Sequence, residues 1–257
     1  LDGGAGNDQL HAGTVGETGN NVLIGGVGAD VLTGYTGNDT FQGGPGNDTI
    51  FDPYGGQDVY LFDRGDGQDT LAPHRGTVRF APGVLPTDVT VRGSSDLSLV
   101  LSINGTTDTM TLSGWANPFN GTQIDRVEFA DGTVWNAAIL QAKAAVGTVG
   151  NDYLRGTSGN DVLLGLGGND LIEALDGDDV LDGGMGNDTL RAGLGNDIYV
   201  FGRGYGVDLL QDAGGTADTI QLAEGIVASD VSLLRNGNDL LLSIDQSPTH
   251  LQMSSAA

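Results

Sequence analysis

The chain has 257 residues, 34 acidic side chains against 10 basic ones, a formal net charge of −24, 45 Gly and no Cys. That balance argues against a nucleic-acid binder, whose phosphate contacts need clustered Lys and Arg, and against docking on anionic lipid. No apolar run approaches the roughly 18 residues of a membrane span, and without Cys there is no disulfide frame and no thiolate metal site. Of the acids, 30 are Asp and only Glu17, Glu128, Glu173 and Glu224 are Glu. A short carboxylate suits a tight turn, or an oxygen ligand for a hard cation.

The first predicted element is a repeat array. Gly3-Gly4-Ala5-Gly6-Asn7-Asp8-Gln9-Leu10-His11 has the form G-G-x-G-x-D-x-U-x, with U apolar. Its acid column continues through Asn21, Asp30, Asp39, Asp48 and Asp58. The register slips twice, by four residues near Ala12–Val15 and by one near Asp52-Pro53. Two residues after each column member stands an apolar side chain: Leu10, Leu23, Leu32, Phe41, Ile50 and Tyr60. Six residues rich in Gly and Asn predict a turn that tolerates positive φ. The next three predict a short strand with its middle side chain inward. Two repeats then make one coil of 18 residues, and coils stack as parallel strands about 4.8 Å apart.

Residues 72–146 lack the repeat and read as a β-rich capping domain. Asp88–Arg92 and Leu97–Ile103 alternate, and Asn104-Gly105 signals a hairpin before Asp108–Leu112. Ile124–Phe129 with Asp131-Gly132 predicts a second hairpin, and Trp135–Ala145 is the one credible helix. Such a segment would cover the open end of a solenoid, which otherwise exposes strand edges.

A second array follows with an unbroken spacing of nine: Asp152, Asp161, Asp170, Asp179, Asp188 and Asp197. Its apolar column is Leu154, Leu163, Ile172, Leu181, Leu190 and Tyr199. The chain is a tandem duplication, because Asp58–Asp69 matches Asp197–Asp208 and Gly83–Val89 resembles Gly225–Val231. The expected fold is all-β: a first parallel β-roll over 1–71, a cap over 72–146, a second roll over 147–210, and a truncated cap over 211–257. Leu1-Asp2 reads as the tail of a preceding repeat, so a segment of a longer protein is expected.

Each nonapeptide buries one large apolar side chain, worth about 1.5–3 kcal/mol, far short of the conformational entropy of nine ordered residues. Stacked Asp columns add like-charge repulsion. A divalent cation between turns 18 residues apart would reverse both deficits, and an oxygen-only ligand set in flexible loops favours Ca²⁺. The expected pairs are Asp30 with Asp48, Asp39 with Asp58, Asp152 with Asp170, Asp161 with Asp179, Asp170 with Asp188, and Asp179 with Asp197. Asp8 with Asp30 spans the four-residue insertion, and Asn21 supplies no charge.

The nonapeptides resemble the RTX (repeat-in-toxin) haemolysin-type calcium-binding repeats. The segment Val84–Trp135, ending Arg126-Val127-Glu128-Phe129-Ala130-Asp131-Gly132-Thr133-Val134-Trp135, is similar to the haemolysin-type calcium-binding related domain. The resemblance implies a parallel β-roll, several Ca²⁺ ions, and export by a type I secretion system to the outside or surface of a Gram-negative bacterium. Carried over by position, the ligands would be Asp8, Asp30, Asp39, Asp48, Asp58, Asp152, Asp161, Asp170, Asp179, Asp188 and Asp197. The carbonyl positions would be Gly25, Gly26, Gly28, Gly43, Gly44, Gly46, Gly165, Gly167, Gly183, Gly184 and Gly186, together with Asn187. The first block departs from the pattern at Gly16–Asn21.

The function expected is a calcium-triggered folding module that supports secretion and scaffolds neighbouring domains of its parent. The alternatives are a calcium-dependent adhesin or self-associating surface module, and the non-catalytic C-terminal part of a secreted protease, lipase or toxin. No H-E-x-x-H, G-x-S-x-G or P-loop is present, so no catalytic residue is expected. His11, His74 and His250 stand alone and read as surface or loop residues. Arg64-Gly65-Asp66 reads as a turn rather than an adhesion tripeptide, because the second copy has Arg203-Gly204-Tyr205 there. Asp52-Pro53 reads as a loop where the register slips.

Overall fold

Short strands separated by glycine turns are what nine-residue repeats can build, and the computed structural model follows that rule over residues 1–13, 18–54, 56–72, 75–115, 124–237, 239–245 and 250–254. His74 and part of the insertion at Ala12–Val15 lie outside the described residues. The chain divides into two units, Leu1–Lys143 and Ala144–Ala257.

The first unit runs β1 (Asp2–Ala5), β2 (Gln9–His11), β3 (Val22–Val27), β4 (Val31–Thr33), β5 (Thr40–Gln42), β6 (Thr49–Phe51), β7 (Asp58–Phe62), β8 (Gln68–Ala72) and β9 (Gly76–Phe80). It continues through β10 (Val89–Gly93), β11 (Leu99–Ile103), β12 (Thr109–Leu112), β13 (Arg126–Glu128), β14 (Val134–Asn136) and helix α1 (Ala137–Ala144). Successive repeats alternate between two sheets, ordered β1-β3-β5-β7-β9-β13-β14 and β10-β11-β12-β8-β6-β4-β2. All pairs within the repeats are parallel, with Val22 opposite Thr40 and Val31 opposite Thr49. The coil is 18 residues there and 19 between β5 and β7, where Thr40 faces Val59.

The parallel pairing runs past the boundary expected at residue 71. β9 lies on β7, and both hairpins of the cap join the roll through parallel contacts, β12 on β8 and β13 on β9. Only within the cap is pairing antiparallel, in β10-β11-β12 and β13-β14. The cap thus satisfies the exposed N–H and C=O groups of the last strand in each sheet. The predicted helix is α1, two residues later than expected at its start because Trp135 belongs to β14. The Asp131-Gly132 turn forms with Gly132 at φ +89°, a left-handed conformation that glycine adopts without cost. An aromatic chain carries the core from roll to cap. Phe62 meets Phe80 edge-on, Phe80 stacks on Phe129 at 5.1 Å, Phe129 abuts Trp135, and Lys143 sits 4.1 Å over the Trp135 ring.

The second unit runs β15 (Tyr153–Arg155), β16 (Val162–Leu164), β17 (Leu171–Asp176), β18 (Val180–Asp182), β19 (Thr189–Leu194), β20 (Ile198–Phe201), β21 (Val207–Gln211), β22 (Thr219–Leu222), β23 (Val231–Asn236), β24 (Asp239–Ile244) and β25 (His250–Ser254). Its sheets are ordered β15-β17-β19-β21-β25-β24-β23 and β16-β18-β20-β22. Here too the parallel pairing passes the expected boundary at 210, with β22 on β20 and β25 on β21.

The apolar columns form the interior of both rolls. All twelve members from Leu10 to Tyr199 are at most 7% exposed. β-Branched residues such as Val31, Thr40 and Val162 stand just before them at the start of the strand, where branching favours extended backbone. The protein is all-β, built of parallel β-rolls. Among the described residues no helix is long and apolar enough to cross a membrane.

Candidate metal centre

The turns stack so closely that backbone occupies the space of absent side chains. A Cβ on Gly28, Gly46 or Gly186 would run into the carbonyl oxygen of Gly6, Gly28 or Gly168 in the preceding coil. A Cβ on Gly26, Gly44 or Gly184 would strike the carbonyl of Gly4, Gly26 or Leu166, and these three glycines have φ between +84° and +107°. Leu166 and Leu175 occupy the same turn position with φ +71° and +85°. Gly168, not Gly167, takes the place equivalent to Gly28, Gly46 and Gly186. The N–H of Gly168 donates to the Met185 carbonyl just as that of Gly28 donates to Pro45, whereas a Cβ on Gly167 would meet nothing nearer than 3.6 Å.

Along this edge the Asp columns form ladders. Each column residue donates its N–H to Oδ1 of the aspartate one coil later: Asp8 to Asp30 at 2.7 Å, Asp30 to Asp48 at 2.8 Å, Asn21 to Asp39 and Asp39 to Asp58 at 2.8 Å. In the second unit Asp152 donates to Asp170, Asp161 to Asp179 and Asp170 to Asp188 at 2.8 Å, and Asp179 to Asp197 at 2.9 Å. The structure therefore stacks all the pairs expected from the spacing, including Asp8 with Asp30 across the insertion.

A second, outer ladder is made of asparagines and runs the opposite way. Asn7 Oδ1 accepts the Ala29 N–H, Asn151 Oδ1 accepts the Asn169 N–H, and Asn187 Oδ1 accepts the Val207 N–H. The side chain of Asn187 is exposed and committed to this ladder, so it does not enter the aspartate row.

The second carboxylate oxygen defines the site. Oδ2 of Asp8, Asp30, Asp39, Asp48, Asp170, Asp179, Asp188 and Asp197 is buried and lacks a hydrogen-bond donor. An anionic oxygen in that state costs several kcal/mol unless something compensates it. In most turns these oxygens point into a cradle lined by glycine, with Ala174 and Ala192 in the same place before Asp179 and Asp197. A Cβ on Gly25 would lie 2.5 Å from Asp30 Oδ2 and 2.6 Å from the Gly43 carbonyl. Gly165 has the same relation to Asp170 Oδ2 and the Gly183 carbonyl, and Gly43 and Gly183 face Asp48 Oδ2 and Asp188 Oδ2. Carboxylate and carbonyl oxygens from successive coils thus converge on one space. That donor set fits Ca²⁺, which takes six to eight oxygens in flexible geometry, better than Zn²⁺, which favours nitrogen and sulfur.

Burial is the main force on these groups. It holds Asp48, Asp170 and Asp179 at about 6, with a partial offset from the ladder N–H and a further rise from neighbouring ladder charges. Asp188 and Asp197 are raised for the same first reason. Such carboxylates are poised to lose a proton to a cation rather than to stand bare.

Two expected ligands differ. Asp152 Oδ2 accepts the N–H of Thr148 at 2.6 Å and its hydroxyl at 2.8 Å, and Asp161 Oδ2 is held in the same way by Thr157 at 2.6 and 2.9 Å. In these first turns of the second unit a threonine already supplies what the other turns lack.

Sequence spacing missed three further ladder members. Asp69, Asp208 and Asp218 accept the N–H of Asp48 at 2.9 Å, Asp188 at 3.0 Å and Asp197 at 3.1 Å, over coils of 21, 20 and 21 residues. The available signal was the duplication, which aligns Asp69 with Asp208. Burial raises these two to about 8 and about 7.

Repeated oxygen cradles along the edge of a parallel roll define a calcium-binding β-roll module. Comparison with protein-family models agrees. Residues 1–14, 15–50, 146–175, 164–199 and 173–207 match the RTX calcium-binding nonapeptide repeat, and residues 99–138 match the haemolysin-type calcium binding protein related domain. The chain carries RTX calcium-binding nonapeptide repeats in both blocks, and a haemolysin-type calcium binding related domain follows the first. A comparison with curated proteins gives no match. Among solved structures it is similar to the extracellular lipase LipA from Serratia marcescens, with 18% identity and a TM-score of 0.29. The match covers 94% of this chain and 38% of the lipase.

Proposed function

We propose that this chain is a calcium-triggered folding module of a larger secreted bacterial protein. The reading rests above all on the row of buried Oδ2 atoms without donors. In a cell interior poor in free Ca²⁺ those carboxylates repel one another and oppose folding, so the chain stays threadable. Outside, where Ca²⁺ is millimolar, sites of the extracellular class with Kd around 10⁻⁴–10⁻³ M fill, and binding free energy becomes folding free energy. Asp30, Asp39, Asp48, Asp58, Asp170, Asp179, Asp188 and Asp197 would hold the ions with carbonyls of Gly25, Gly43, Gly165 and Gly183. The ion supplies charge compensation between coils, and the role of the repeats is structural rather than catalytic.

Folding at the exit would oppose backsliding through a type I secretion channel and leave a rigid scaffold for neighbouring domains. A far-UV circular dichroism titration tests the reading. We expect a largely unordered spectrum in chelator and cooperative gain of β signal as Ca²⁺ is added. β structure already complete in chelator would overturn it.

A further inference from the structure

In each unit one coil departs from the pattern of two carboxylates per turn pair. Asp52 stands six residues before Asp58, and Asp212 stands six residues before Asp218. Both occupy a turn position that elsewhere holds a small residue. Asp52 lies one coil beyond Gly34, and its carboxylate fills the space a Cβ on Gly34 would take. Asp212 follows Gln211, which pairs with Arg191, so it lies one coil beyond Ala192. The coils concerned, Asp39 to Asp58 and Asp197 to Asp218, are 19 and 21 residues long rather than 18. The added length makes room for a side chain.

The consequence is a third carboxylate. Ligand oxygens of Asp39, Asp52 and Asp58 all lie within 4.8 Å of one another, as do those of Asp197, Asp212 and Asp218. Among the described residues these are the two clusters of three such groups. Asp52 has no exposed surface, and neither of its oxygens is in hydrogen-bonding geometry with a donor. Asp39 Oδ2 and Asp197 Oδ2 are in the same condition, 1% and 0% exposed as residues. Burial first, and then the facing charges of Asp58 and Asp39, hold Asp52 up at about 8, although the nearby Tyr54 amide pulls the other way. Asp212 is raised by burial and by Asp218 and Asp197. Ionised together at this separation, the three carboxylates would need a cation among them.

We propose that Asp39/Asp52/Asp58 and Asp197/Asp212/Asp218 are two divalent-cation sites that take Ca²⁺ more tightly than the two-carboxylate turns and fill first as calcium rises. The proposal rests on the calcium-binding reading above and adds an order of filling. Affinity in oxygen-ligand sites follows ligand charge and rigidity, and each of these sites carries one charge more than its neighbours. Each lies at the end of its repeat block: Asp58 begins β7, next to β9, and Asp218 directly precedes β22. Filling them first would start each roll at the end where the non-repeat segment joins it.

Calorimetric Ca²⁺ titration of the full chain, stripped by chelator, tests this. Two ions are expected to bind at least tenfold more tightly than the rest. Asp52→Gly restores the residue of Gly34 and Gly43, and Asp212→Ala restores that of Ala192. Each is expected to remove one tight step, and the double variant both, while the weaker steps and the calcium-saturated far-UV spectrum persist. Asp52→Asn keeps the shape and removes only charge, so it also weakens one tight step if carboxylate charge is the cause. Terbium gives an independent readout. The buried Tyr60 and Tyr199 feel the charges of the two clusters and should sensitise Tb³⁺ emission at the lowest ion ratios, with that early emission reduced in the variants. Tight steps that survive in both Asp52→Asn and Asp212→Ala overturn the proposal but leave the folding module standing. A parent chain that takes up no Ca²⁺ at all overturns both.

Discussion

Within the first unit two regions solve the problem of cohesion differently. The cap strands β10–β12 bury Val89, Val91, Leu99, Leu101, Ile103, Met110 and Leu112, with antiparallel neighbours and no buried carboxylate row. Most roll strands bury one large side chain per repeat and place an unpartnered carboxylate oxygen beside the turn. The cap is an ordinary apolar core on a sheet. The roll has a thinner core, and on the proposed reading charge compensation by Ca²⁺ completes it. Nine residues per repeat leave room for one large inward side chain in most strands, whereas the cap's strands β10–β12 each present two or three.

The largest effect expected from this contrast is on calcium removal. Both Trp residues, Trp115 and Trp135, are buried in the cap. As chelator is added, the far-UV β signal of the rolls should collapse before tryptophan emission moves to the red. Simultaneous transitions would mean that cap and roll form one cooperative unit, and the comparison would break.

Next in size are two cavities of equal chemistry. Leu181 in the second roll and Leu101 in the cap are both fully buried, so Leu→Ala at either should cost about 2–5 kcal/mol. Leu181→Ala should also raise the calcium concentration at the folding midpoint, because folding and binding are linked there. Leu101→Ala should lower denaturant resistance in saturating Ca²⁺ and leave the midpoint nearly unmoved. Equal shifts of the midpoint would count against separate mechanisms.

Proton dependence should be smaller and of opposite sign in the two ionic conditions. Asp48, Asp170 and Asp179 at about 6, and Asp208 at about 7, are raised above the ordinary 3.8 in the folded chain. The folded metal-free form therefore holds protons that the unfolded chain releases. Its stability is fully present below pH ~4 and is lost as pH rises through ~6–7. In chelator, more β signal is expected at pH 4.5 than at pH 7.5. With Ca²⁺ present the protons compete with the ion, so the calcium midpoint should rise severalfold as pH falls from 7.5 to 5. A midpoint independent of pH would sink this link.

The smallest effect belongs to the cap surface. Arg79 pairs with Glu128 at 2.8 Å but is about half exposed. Arg79→Ala should cost at most about 1 kcal/mol in denaturant unfolding and leave calcium binding unchanged.

Much of this was legible beforehand because a repeat reports its neighbours. A spacing of nine places Asp30 over Asp48 and Asp170 over Asp188 without any coordinate. The apolar column from Leu10 to Tyr199 named the roll core. Where the spacing changes, legibility ends. Asp69, Asp208 and Asp218 join the ladders over coils of 20 or 21 residues, and a longer loop can place a side chain anywhere within its reach. Asp52 read as a loop residue at a slip, since nothing local says that its carboxylate turns inward.

The amino-acid order alone determined the all-β class, the alternation of turn and strand, the twofold duplication and the identity of the acid columns. Each of these is a periodic property, set by interactions between residues at one constant separation. Tertiary structure alone decided that the cap grafts onto both sheets in parallel, that Thr148 and Thr157 satisfy Asp152 and Asp161, and that Asp52 and Asp212 complete clusters of three. Those depend on which chains meet across irregular loops, where contact follows from packing in space rather than from a count along the sequence.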